Sequence, residues 1–224
     1  MTPLLLLLLD SRAPAGAHAH SGGMEASVMA GHVHTIADVE QFCRGRLATG
    51  GTVNAAFAAT AHAYWSRAAT PLDWELLDAE YTARQPSEAM RSASRSLGSG
   101  LVRMLRSMCP HADLATPWQL IERPAPHHCL VQGAAVAIAG GDATLAAQSA
   151  ALASITGPAS AAVRLLGLDP LAVQAMLARL AADLGVLSFT CDDTPLASLP
   201  SGSAPALDLL ADVHRTSEVR LFAS

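Results

Sequence analysis

Residues 87–108 read SEAMRSASRSLGSGLVRMLRSM, and the reading of this stretch decides the fold. Met90, Leu97, Leu101, Met104 and Met108 recur at helical spacing, so one face is apolar along the whole segment. Ser87 stands where an N-cap belongs, and Pro110 stands where the helix must end. The pattern predicts one long amphipathic helix. Its other faces carry Arg91, Arg95, Arg103 and Arg106, which read either as a docking face for an acidic partner or as an ordinary solvated face.

The same signals repeat outward in both directions. Thr35 precedes Ile36, Val39, Cys43 and Leu47 on one face, with Asp38 placed as in a weak capping box. Thr70-Pro71 looks like an N-cap followed by a first-turn proline, opening a helix toward Arg84. Residues 143–157 are alanine-rich and helical, and Gly157-Pro158 is expected to break them from a following helix over 159–166. Another helix is expected over 170–184, after the turn Gly167-Leu168-Asp169. Pro205 opens a last one, with Leu207, Leu210 and His214 on one face. Pro117, Pro124 and Pro126 mark an irregular connection, and a Pro/Ser/Asp-rich loop covers 190–203. Only residues 130–138 could pass for a buried strand, and periodicity leaves that open. No internal repeat is evident. The expectation is an all-α, single-domain, compact bundle of about eight to ten helices spanning residues 1–224.

Composition narrows the function. The 224 residues carry a net charge of -5, and all 14 basic residues are arginine. Without lysine there is no Walker A phosphate clamp, no Schiff-base chemistry and no kinase strand lysine. An acidic balance argues against nucleic acid as the partner. With 51% hydrophobic and 15% charged residues the chain is far from the disordered regime. The leucine run over residues 4–9 lacks a basic flank and is too short for a signal or a membrane span, so a cytoplasmic location with no membrane association is expected. Cys43, Cys109, Cys129 and Cys191 show no C-x-x-C spacing and read as reduced thiols.

Catalytic motifs are missing. There is no G-x-S-x-G, no H-E-x-x-H and no G-x-G-x-x-G, which leaves only a helical hydrolase with a triad assembled from distant residues. Nine histidines raise a second possibility, a nickel-binding metallochaperone. His18 with His20 and His32 with His34 form H-x-H pairs, and His127-His128 a third. No acid or cysteine stands beside the H-x-H pairs at tight ligand spacing, so these four are weak metal candidates and ordinary surface histidines are the simpler reading.

The most distinctive segment is residues 10–25, DSRAPAGAHAHSGGME. Pro14 and Gly16 allow a turn, Ser21 can cap the next helix, and Glu25 suits its positive end. A well-capped loop or a contact surface both satisfy these residues. The spacing D-S-x-x-P-x-G-x-x-x-H-S-x-G-x-E resembles the N-terminal signature of the UreF family of urease accessory proteins. Further stretches agree in order. Arg91, Ser94 and Gly98 with Leu101, then His128 to Gly133, then 161–166 (AAVRLL) with Gln174, are similar to the family's middle elements. Pro205, Leu207-Asp208, His214 and 220–224 (RLFAS) resemble its closing helix and end. Departures are His18, where the family usually has an aromatic, Ala15, where it has isoleucine, and Gly167, Asp169 and Pro170, where it has Pro, Gly and Gln.

The resemblance implies an all-α homodimer without catalysis or a cofactor of its own. Residues 1–25 would be a signature segment, and residues 205–224 a docking helix and tail. UreF proteins bind the accessory protein UreD or UreH, and that pair recruits the GTPase UreG. The assembly delivers nickel to apo-urease with GTP held by UreG, and control of that GTPase by UreF has been proposed for the family. Carried over to this chain, the partner-binding residues are Pro14, Gly16, His18, His20, Ser21, Gly23, Glu25, Arg220, Leu221 and Phe222. Arg220 falls on the position that resembles one involved in recruiting the GTPase, and the tail would order on binding UreD/UreH.

Overall fold

The computed structural model describes residues 3–10, 19–110, 125–184, 195–217 and 220–222. These residues form helices and no strand. In chain order they are α1 (Pro3–Leu8), α2 (Met24–Met29), α3 (Ile36–Arg46), α4 (Thr52–Ser66), α5 (Pro71–Ala83), α6 (Glu88–Met108), α7 (His128–Ile138), α8 (Ala143–Leu166), α9 (Pro170–Leu184) and α10 (Pro205–Arg215). A π-turn, Leu47–Gly51, joins α3 to α4, and a 3-10 turn, Leu196–Ser198, precedes α10.

The starts follow the sequence signals. Thr35 and Asp38 form a full capping box, as do Thr70 and Asp73, and Ser87 Oγ accepts from the Met90 amide at 3.2 Å. Each cap satisfies amides that the first turn leaves without partners. Residues 130–138, the one ambiguous stretch, lie in α7. A run buried nearly all round has no periodicity to read, and its length then favours helix.

The expected break at Gly157-Pro158 does not occur; α8 runs through it as one helix. Proline removes the amide that would donate to the Ser154 carbonyl. Arg46 Nε fills that vacancy at 3.1 Å, from α3. A side chain from another element completes the ladder that Pro158 interrupts.

Helix α4 lies at the centre against α7 and α8. A Cβ on Gly133 of α7 would lie 2.0 Å from the Ala58 carbonyl oxygen of α4, so the two backbones touch. Phe57, Trp74, Leu77, Leu105, Leu130 and Val131 fill the surrounding core, and Leu5 of α1 closes one side. A second core joins α2, α3, α8 and α9 through Met24, Val39, Ile155 and Met176, and Phe222 of the tail belongs to it. Cys43 and Cys129 are buried thiols in these cores, and burial pushes the Cys43 thiol up to about 12. Cys191 lies outside the described residues. None of the helices described is long and apolar enough to cross a membrane.

Arg95 departs from both readings of the α6 arginines. It turns inward to Asp78, with nitrogen–oxygen distances of 2.8 and 3.2 Å, and both side chains are largely buried. Arg91 caps the carbonyls of Gln85 and Pro86 at 2.6 and 2.7 Å. Arg103 and Arg106 are exposed.

Candidate docking site

The signature segment is described from Ala19 onward; Pro14, Gly16 and His18 lie outside the described residues. Gly22 and Gly23 have φ of +58° and +89°, a region where L side chains are strained. Gly23 is also sterically required, since a Cβ there would meet Leu207 Cδ1 of α10 at 2.6 Å. Gly23 itself occupies the N-cap position of α2, and Ser21, two residues before it, accepts from the Glu25 amide at 3.3 Å. Arg46 Nη1 donates to the Gly22 carbonyl at 3.0 Å, tying this turn to the mended break in α8.

Glu25 is 3% exposed, which an isolated carboxylate would not tolerate. Its partners come from the other end of the chain. Oε1 accepts from the Leu221 amide at 2.7 Å, and Oε2 accepts from the Phe222 amide at 3.0 Å. His214 Nε2 of α10 lies 3.1 Å from Oε2, a close contact without the alignment of a hydrogen bond. The Phe222 ring is buried against the Arg164 guanidinium, 4.1 Å from its centroid. Signature and tail, 196 residues apart for Glu25 and Leu221, therefore meet in one seat.

The seat divides the residues drawn from the sequence. Ser21, Glu25 and Phe222 face inward, and Gly23 is buried with them. Arg220 and Leu221 face outward, with Leu221 75% exposed and Arg220 Nη1 donating to the Arg215 carbonyl at 3.1 Å. Leu209 and Val213, four residues apart on α10, are also exposed. Exposed apolar side chains and Arg220 thus both occur at this end of the chain. His214 and Arg164, which lie within motifs that resemble the family, gain roles through their contacts with Glu25 and Phe222.

Beside the seat runs a cleft of about 750 Å³, lined by His20, Arg46, His128, Gln132 and Asp208 among others. Burial, reinforced by nearby His20, pulls the His128 imidazole down to about 4. His34 Nε2 is taken up by the Gly31 carbonyl at 2.9 Å, and His32 is exposed. Among the described residues no three His, Cys, Asp or Glu side chains come together to hold a metal.

One serine–histidine contact invites comparison with a triad. Ser94 Oγ lies 3.0 Å from His127 Nδ1, and Thr82 Oγ1 lies 3.0 Å from Nε2. Thr82 donates its own proton to the Asp78 carbonyl, so it accepts from Nε2–H and leaves Nδ1 to accept from Ser94. The third member is misplaced: the Asp78 carboxylate grips Arg95 and the His127 backbone amide, not the imidazole. Burial and the charges of Arg95 and Arg91 pull His127 down to about 3, too low for an effective base near neutral pH. The arrangement is a buried structural network.

The sequence profile of the UreF family matches residues 33–181. A urease accessory protein UreF of Mycobacterium marinum is 39% identical over 221 residues, covering 99% of this chain and 98% of its own. The chain belongs to the UreF family. Similar agreement extends to the urease accessory protein UreF of Mycobacterium sp. strain JLS, 39% identical over 98% of this chain and 97% of that one. The protein of the same name from Mycobacterium tuberculosis H37Rv is 38% identical over 99% and 98%. These alignments reach beyond the profile match to take in the signature and tail segments, so the seat between them lies within the part of this UreF chain shared with its relatives.

Proposed function

We propose that this chain is a non-catalytic scaffold for urease maturation. It docks the UreD/UreH accessory protein through the α10–tail face, and the pair recruits UreG. The assembly hands nickel to apo-urease with GTP bound and hydrolysed by UreG, whose GTPase it regulates. The chain works as a cytoplasmic homodimer and holds no cofactor of its own. The observation that carries this reading is a UreF-family tail presenting Arg220 and Leu221 outward from a buried seat. Absence of lysine supports it, because the nucleotide clamp must then reside on a partner. Arginine suits the edge position, since its planar fork can grip a carboxylate across an interface.

Co-expression with a urease operon lacking this gene tests the proposal. Adding the chain should restore urease activity and bound nickel together. Nickel-replete, fully active urease without the chain would refute it.

A further inference from the structure

We propose that Glu25 is a positioning residue that clamps the tail backbone in its docking conformation, with Phe222 as the anchor and not as a contact for the partner. This rests on the reading above that the tail is a docking segment.

The carboxylate takes two consecutive amides, Leu221 on Oε1 and Phe222 on Oε2. Such a grip fixes the intervening peptide, and side chains on either side of it then point apart. The exposures follow: Phe222 is 4% exposed and Leu221 is 75% exposed. Amides carry no side-chain identity, so the carboxylate sets the course of the tail, and the ring on Arg164 sets its register. Sliding the tail by one residue would put Leu221 in the ring's place and turn Phe222 to solvent. In this register Arg220 also meets the Arg215 carbonyl at the end of α10. Glu25 lies beneath the tail and is closed off from a partner docking on it.

A tail that is seated only part of the time weakens docking by the fraction seated. Glu25→Gln keeps one acceptor but turns an NH2 toward the other amide, which should release the tail. Phe222→Ala should release it from the opposite end with the carboxylate intact. Two readouts apply: hydrogen exchange at residues 221–222, and affinity for the purified UreD/UreH partner encoded with the same urease. Each variant should speed exchange and weaken affinity by about tenfold or more. The double variant should be weaker than either single one, by at least the two losses multiplied, because both contacts hold the same seated state.

Fast exchange with unchanged affinity would overturn the proposal, as would weakened affinity with exchange at residues 221–222 unchanged. If Glu25→Gln fails to fold by circular dichroism, Phe222→Ala carries the same two readouts. Leu221→Asp changes the outward face and leaves the clamp in place. Unchanged affinity for UreD/UreH in that variant would sink the docking reading itself, while the exchange measurement still decides the clamp.

Discussion

The contact between α4 and α7 and the seat between signature and tail solve burial in opposite ways. At the first, Gly133 brings two backbones together within a cluster of buried apolar side chains. At the second, a buried carboxylate, a histidine and two arginines hold the chain ends through hydrogen bonds and charge. The first depends on volume and is lost with the whole fold. The second depends on partner atoms and can open while the cores stay shut, because among the described tail residues only Phe222 is committed to a core.

The contrast can be broken most strongly on the interior side. Asp78→Ala leaves Arg95 charged and largely buried without its partner, and should cost about 3–5 kcal/mol in chemical denaturation. Gly133→Ala forces a Cβ against the Ala58 carbonyl, where backbone must move, and should cost about 1–3 kcal/mol by the same measurement. A Gly133→Ala protein as stable as wild type would show that the two helices are not in backbone contact.

Acid should act on the interior next. His127 and His128 are held neutral, with pKa values near 3 and 4, against about 6.5 in the unfolded chain. Folded values below the unfolded one mean that full stability is present above pH 6.5 and is lost as pH falls toward 4. By pH 5.5 the loss should be about 1–1.5 kcal/mol for each imidazole. Thermal midpoints measured from pH 7.5 to 5 should fall accordingly, and His127→Gln should flatten part of the slope. The smallest stability effects belong to the outward residues of the seat. Leu221→Asp and Arg220→Ala should leave the midpoint unchanged within the scatter of surface substitutions, about 0.5 kcal/mol.

Local signals made most of the helices legible. Thr35 with Asp38, Thr70-Pro71 and Ser87 announce starts through atoms within four residues, and they behave as read. Gly157-Pro158 misleads because its remedy, Arg46, lies 108 residues from Ser154. Arg95 misleads because an arginine on an amphipathic helix carries no mark of an acidic partner on another helix. The candidate site was half legible. The motifs that resemble UreF singled out Glu25, His214 and the tail, but nothing in their spacing says that a carboxylate near one end takes the amides near the other. That contact is made of backbone donors, which every residue but proline possesses, so no residue type signals it.

The most direct test is retention of UreG by a purified complex of this chain with UreD/UreH, comparing wild type with Arg220→Ala. The account predicts that the variant folds, dimerises and still binds UreD/UreH, yet retains markedly less UreG. Unchanged UreG retention by that complex would contradict it.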